Sequence, residues 1–360
     1  MIPFPIDNNG TVWWFVWTHG TNEKMFQDLK RTMAHPNCKQ VIIASFEEYE
    51  AVYIFDSAKT WKKFSKYAAS VDVKVHLISP AYKGSLNNRY YINDKRQTPL
   101  MHFFANICIS RLIQHKLPLT THETINKLFV STNGKGHPHR CMFIDTMYKS
   151  KLQDYGHVSW NAFEVSKDYK FEHFPNPTKQ RMLDWKTTFG GDIFVPPPHY
   201  KSSLLSIVCE SNLECIFTTE KTYTPIIHKR PFIIFAVPNF HTALRELGFQ
   251  LFDEIFDYSF DTIENDQERC EAMFQQVAKH KDSDYNKLLE KCKPAIEHNF
   301  NLICSKYLKT PSVFDDELLH LLSTTQNSHW HENYKENVFT EKEHFNNWLK
   351  DNNLTFEEIL

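Results

Sequence analysis

Val208-Cys209-Glu210-Ser211-Asn212, followed after a short gap by Phe217-Thr218-Thr219-Glu220-Lys221-Thr222-Tyr223-Thr224-Pro225, decides how this chain folds. Just ahead, Ser206-Ile207-Val208-Cys209 is apolar and β-prone, which predicts a strand. Ile216-Phe217 predicts a second short extended piece or a turn. Thr218 or Thr219 is a good N-cap, and Glu220 then falls in the first helical turn, where the macrodipole favours a carboxylate. Ile226 and Ile227 would face a core, and Arg230-Pro231 predicts the stop, since the residue before a proline is pushed out of the helical region. Phe232-Ile233-Ile234-Phe235-Ala236-Val237 reads as a buried parallel strand. A carboxylate, an ammonium and a helix start therefore meet between two strands, on the edge where α/β sheets bind ligands. That set suits a sugar nucleotide: the carboxylate accepts from ribose hydroxyls, and the ammonium and free helix N–H groups face a diphosphate. A lone Glu-Lys pair is ordinarily a solvated helix start, so a second polar cluster upstream matters.

That cluster is Leu128-Phe129-Val130-Ser131-Thr132-Asn133-Gly134-Lys135-Gly136-His137-Pro138-His139-Arg140. Its order is strand, glycine-containing loop, then a basic residue opening a helix expected from residue 141 to about 152, with Met142, Phe143, Thr146, Met147 and Lys151 near helical spacing. Glycines let a backbone approach a ligand closely, and Arg140 could clamp a diphosphate bidentately. The loop is neither a Walker A nor G-x-G-x-x-G.

Together the two blocks resemble the α-1,3-fucosyltransferase family and its viral and bacterial relatives. The residues that carry the resemblance are Ser131-Thr132-Asn133 through Arg140, Glu210-Ser211-Asn212, and Thr219-Glu220-Lys221. The next stretch is similar to phage and large-virus members of the group: Pro231-Phe232, Leu244-Arg245-Glu246-Leu247-Gly248-Phe249, Phe252-Asp253, Asp257-Tyr258-Ser259-Phe260-Asp261 and Arg269. The resemblance spans about residues 128–279. It implies an α/β chain of GT-B architecture, two Rossmann-like domains facing a cleft, and an inverting, metal-independent glycosyltransferase. Its donor would be a nucleotide-diphosphate sugar, a GDP-sugar such as GDP-fucose first among them. Arg140, Glu210, Asn212, Thr219, Glu220 and Lys221 become the expected donor-binding residues, with Lys221 and Arg140 neutralising the departing diphosphate. The chain also departs from the family: Ser211 splits the usual Glu-Asn, and Leu213-Glu214-Cys215-Ile216-Phe217-Thr218 fills the gap before Thr219. The donor sugar therefore stays open. So does the acceptor, which could be a glycan, protein, lipid or nucleobase.

The expected organisation is an N-terminal Rossmann-like acceptor domain over residues 1–115 and a linker near 116–124. A nucleotide-sugar domain over 125–325 and a helical tail, 326–360, returning to the N-terminal domain complete it. Val12-Trp13-Trp14-Phe15-Val16-Trp17, Val41-Ile42-Ile43-Ala44 and Val73-Lys74-Val75-His76-Leu77-Ile78 read as strands. Asn22 can cap a helix with Met25, Phe26, Leu29 and Met33 on one face, Ser57 can cap another, and Thr98-Pro99 is expected to open a long one. Strand-helix alternation argues a parallel α/β sheet. Inverting transfer needs a general base. The candidate is His19, in the loop after the first strand, with Glu47, Glu48 and Asp56 as rivals.

Composition narrows the partners. The 360 residues suit two domains, and the net charge of −2 gives no electrostatic footprint for tight nucleic-acid binding. The eight cysteines lack metal-ligand spacing and read as reduced, buried thiols, so no metal and no cofactor are expected. His137-Pro138-His139 and His329-Trp330-His331-Glu332 have no second ligand cluster beside them in sequence. Met1-Ile2-Pro3-Phe4-Pro5-Ile6-Asp7 has no basic start, and no apolar run approaches about 18 residues, so a cytoplasmic protein without a membrane span is expected. Few Gly and Arg beside much Lys, Asn and Phe suggest an AT-rich genome, which with the resemblance points to a virus and its host's cytoplasm. Two other readings compete: a nucleotide-binding protein that has lost catalysis, and a viral structural protein using the fold as a scaffold.

Overall fold

The computed structural model describes residues 6, 8, 10–16, 23–45, 66–79, 97–99, 124–161, 165–179, 181, 198–211, 213 and 216–309. The protein is mixed α/β, built on two parallel four-stranded sheets that fall in separate compact units.

The first unit holds β1 (Thr11–Val16), α1 (Glu23–Met33), β2 (Gln40–Ser45), β3 (Lys74–Ser79) and β4 (Gln97–Pro99), with the strands in sequential order. Val12 and Val41 pair across β1 and β2 and are fully buried. On α1, Leu29 and Met33 face inward at the expected helical spacing. Thr98-Pro99 departs from expectation: the pair continues an edge strand beside Ile78 and Ser79 instead of starting a helix. A residue before proline favours extended backbone, and proline's missing N–H is tolerated at a sheet edge. The remainder of that expected helix lies outside the described residues, as do His19, Asn22, Glu47, Glu48, Asp56, Ser57, Asn212 and the 326–360 tail.

In the second unit β5 (Lys127–Ser131), α2 (Pro138–Lys149), β6 (Gly156–Val158), β7 (Ser203–Cys209), α3 (Glu220–Ile227) and β8 (Phe232–Phe235) form a parallel sheet in the order β6-β5-β7-β8. All seven residues of β7 and all four of β8 are buried, as strands covered on both faces require. Among the described residues three α-helices follow: α4 (Phe240–Glu246), α5 (Asp266–Ala278) and α6 (Tyr285–Lys309). α5 packs on α2 and β8, and α3 packs on β7 and β8. On α6, Leu288, Leu289, Cys292 and Ile296 are buried on one face. The six described cysteines are free and buried. No described helix is long and apolar enough to cross a membrane.

Helix ends are set locally. α2 begins three residues before the expected Cys141, because Pro138 suits the first helical turn. α3 stops before Arg230-Pro231 through a Schellman closure. Lys229 adopts φ 52°, its N–H reaches Ile226 O at 3.1 Å, and Arg230 N reaches Pro225 O at 2.8 Å. α4 closes the same way with Gly248 at φ 95°, where glycine carries no steric penalty.

Two histidines, the buried His228 and the half-buried His157, are held in uncharged form. Burial, with Arg230 nearby, pushes the His228 imidazole down to about 3. Burial first, then His199 and Lys127, lowers His157 to about 4. An unfolded histidine binds its proton near 6.5, so the unfolded chain takes up protons that the folded protein refuses. Stability therefore falls as pH drops from about 6.5 towards 3, by about 1.4 kcal/mol per pH unit for a site as enclosed as His228. Thermal melts should show the midpoint falling steadily from pH 7 to 5, and His228→Met should flatten that slope. A midpoint constant over this range would contradict the uncharged assignment.

Candidate site at the carboxyl ends of β5 and β7

The topology selects one edge of the second sheet. From β5 the chain moves outward to β6, and then returns past β5 to β7 and on to β8. The segments after β5 and β7 thus depart in opposite directions from adjacent strands, which is the switch point where open α/β sheets bind ligands. Arg140 lies on the first of these segments, and Glu210, Thr219, Glu220 and Lys221 lie on the second.

Internal bonds hold the first segment. Asn161 N donates to Asn133 O at 2.9 Å, Asn133 N to Ser159 Oγ at 3.2 Å, and Ser166 N to Gly136 O at 2.7 Å. A Cβ on Gly136 would stand 2.7 Å from Val165 Cα, so this glycine serves packing between two backbones and not approach to a ligand. Gly134 is exposed, and among the described residues a Cβ there would meet only an Arg140 guanidinium nitrogen, at 3.8 Å. Deeper in α2, the Asp145 carboxylate gathers the N–H groups of Glu172, His173 and Phe174 at 3.1, 2.8 and 2.6 Å, which fixes the loop behind the site.

The second segment is organised around Glu210, which is 1 % exposed. Its carboxylate accepts from Ser211 N at 3.0 Å, Thr219 N at 3.2 Å, Thr219 Oγ1 at 2.7 Å and Thr222 Oγ1 at 2.5 Å. Both oxygens are occupied, so Glu210 ties the start of α3 to the end of β7. Thr219 is the N-cap, its Oγ1 accepting from Lys221 N at 3.2 Å. Lys221 Nζ donates to Ser211 Oγ at 3.0 Å and to Glu220 Oε1 at 2.5 Å, leaving ammonium and carboxylate side by side and about a tenth to a quarter exposed.

Arg140 is different in kind. It is 5 % exposed, and among the described residues its hydrogen-bond partners are Lys135 O, at a long 3.4 Å, and the Cys209 thiol. Among the described residues no carboxylate pairs with it. A guanidinium out of water without a counter-ion costs free energy that anion binding would recover. His139 joins the two segments: its Nε2 lies 3.1 Å from Glu210 O. Burial, then Arg140, drives the His139 imidazole down to about 3, with Lys221 also acting on it. The Cys209 thiol is pushed up to about 12 by burial, against the pull of Arg140, so it is an inert neighbour.

Arg140, Glu210, Thr219, Glu220 and Lys221 are therefore brought to one sheet edge, while Asn212 and His19 lie outside the described residues. Three nearby residues have no role assigned from the sequence. Thr222 bonds Glu210, Asn133 is 3 % exposed with an amide oxygen lacking a donor, and His139 bridges the segments. Asn133 and His139 fall inside the upstream cluster, and Asn133 helps carry the resemblance, but their spacing gives neither of them a partner. Among the described residues no group of His, Cys, Asp or Glu is arranged to hold a metal ion. The downstream stretch that extends the resemblance packs the fold. Asp261 accepts from His241 N, His241 Nδ1 and Thr242 N at 3.1, 2.7 and 3.1 Å. Arg269, 1 % exposed, donates to Ala236 O at 2.9 Å and Ile263 O at 2.6 Å.

Comparison with family models, curated proteins and solved structures gave no match for this chain. The reading of the site rests on its geometry and on the motifs above.

Proposed function

We propose that the chain is a glycosyltransferase of GT-B architecture that takes a sugar from a nucleotide-diphosphate donor, a GDP-sugar by preference, and transfers it with inversion to an acceptor hydroxyl. The observation that carries this reading is the buried Arg140, without a carboxylate partner among the described residues, beside Lys221 at the switch point of a parallel sheet. Arg140 and Lys221 face the diphosphate, whose negative charge grows as the glycosidic bond breaks. Cations fixed there act more strongly on the transition state than on the bound donor, and in this role they take the place of a metal. Glu220 accepts from ribose hydroxyls, with Glu210 and Thr219 holding it in place. The acceptor side and the general base fall to the first unit, with His19 as the candidate base. Whether the protein works in a virus-infected host's cytoplasm is part of the same proposal.

A thermal-shift screen of GDP, UDP, CDP, TDP and their sugars tests the site, with release of labelled sugar as the activity readout. One diphosphate family should stabilise the wild type, with the shift lost in Lys221→Ala and the sugar released only by wild type. Binding without release or transfer of the sugar would favour a nucleotide-binding protein that has lost catalysis. No shift with any compound would favour a scaffold.

A further inference from the structure

The bond from His139 to the end of β7 determines the state of its ring. Glu210 O is a carbonyl oxygen and can only accept, so the Nε2 atom 3.1 Å away carries the proton. In the neutral ring Nδ1 then keeps its lone pair. The ring stays neutral at physiological pH because it is largely buried and because Arg140, His137 and Lys221 all stand near it. His137 lies stacked against it, with ring centroids 5.8 Å apart. Among the described residues no donor reaches His139 Nδ1.

A second neutral acceptor lies nearby, and this one is buried. Both Asn133 Nδ2 protons are used, on Ser131 Oγ at 3.3 Å and Ser159 O at 3.1 Å, while Oδ1 has no hydrogen-bond partner among the described residues. Asn133 precedes Gly134, where a Cβ would come within 3.8 Å of the Arg140 guanidinium. The stretch from the end of β5 into the first turn of α2 thus presents two kinds of group. Its cation calls for an anion, and its neutral acceptors call for O–H or N–H groups. A bare diphosphate answers only the first; a nucleoside diphosphate answers both.

We propose that His139 is a specificity residue of this site, accepting through Nδ1 a hydrogen bond from a hydroxyl or N–H of the bound nucleoside, so that the site selects a nucleoside diphosphate over a bare diphosphate. The proposal rests on the nucleotide-sugar reading above. Its role is separate from that of Arg140 and Lys221, since a neutral imidazole between two cations contributes no charge to phosphate binding.

Two isosteric substitutions separate the ring's two nitrogens. His139→Gln places an amide near the Nε2 position, keeping a donor for Glu210 O while leaving nothing at Nδ1. His139→Asn places an amide near Nδ1 and gives up the bond to Glu210 O. Calorimetric titration of GDP, UDP, CDP, TDP and inorganic pyrophosphate into wild type and both variants reads the difference, with thermal melts confirming that each variant is folded. The expected result is that His139→Gln weakens the preferred nucleoside diphosphate about tenfold, the value of one hydrogen bond, and changes pyrophosphate affinity less than about twofold. His139→Asn should retain more of the nucleoside preference than His139→Gln. Equal weakening of both ligands in His139→Gln, or no weakening of either, would overturn the role of Nδ1 while leaving the nucleotide site standing. A wild type that binds neither class of ligand would overturn the nucleotide reading itself, and this inference with it.

Discussion

Glu210→Ala is expected to lower the melting temperature by about 10 °C. The side chain is 1 % exposed, and its two oxygens satisfy two backbone N–H groups and two threonine hydroxyls. Hydrogen bonds to a charged group contribute about 1.5–3 kcal/mol each, and a buried donor left without a partner costs about 1–3 kcal/mol. These terms overlap, because the donors share one acceptor group and water would reach some of them. A net loss of about 3–5 kcal/mol is therefore reasonable, and in a unit of this size each kcal/mol moves the midpoint by about 2–4 °C. Glu210→Gln should fall in between, since its amide turns a donor towards donors. Glu220→Ala is the contrast: its carboxylate pairs with Lys221 at the rim of the site, so its loss should shift the midpoint little while weakening nucleotide binding. Differential scanning calorimetry of the three variants decides the matter. A Glu210→Ala protein that melts with the wild type would show that α3 is held by something other than this carboxylate.

Arg140→Met is expected to separate activity from stability. Removing a buried ion that no described carboxylate balances relieves a desolvation cost, and methionine fills much of the same volume with a flexible apolar chain. The midpoint should stay level or rise. Sugar release should fall by about 10²–10³-fold, the range found when one group stabilising transition-state charge is lost. Arg140→Lys should recover only part of the rate, because an ammonium cannot form the planar two-pronged contact of a guanidinium. A drop of several degrees in Arg140→Met with nucleotide binding intact would instead make Arg140 a structural pillar and remove the main support for the anion site. Together with Glu210→Ala, this variant distinguishes the residue that builds the site from the residue that uses it. Both lie buried on the same sheet edge, and burial alone does not tell them apart.

Much of the local structure was legible in the sequence because short-range physics decides it. The β7 and β8 strands follow from apolar β-prone runs, and a threonine N-cap at 218 or 219 follows from the need to satisfy the first N–H groups of a helix, the structure placing it at Thr219. The inward face of α6 follows from helical spacing. Where local signals compete, the reading slipped. Thr98-Pro99 suits either a helix start or an edge strand, and pairing with β3 chose the strand. Gly136 looked like a ligand-facing glycine, and the backbone of Val165 explains it instead.

The site divides along the same line. By itself the sequence determined that Glu220 and Lys221 would stand at a helix start after a strand, and that Arg140 would stand near another, since caps, proline and hydrophobic period act over a few residues. Only the tertiary structure decided that β5 and β7 are neighbours, so that segments 70 residues apart share one edge and His139 reaches Glu210 O. It also decided that Glu210, written beside Ser211 as though it were a ligand contact, is spent on holding α3. Which donors converge on a carboxylate depends on long-range strand order, and strand order is fixed by burying two faces of a sheet at once, a condition that no short stretch of sequence contains.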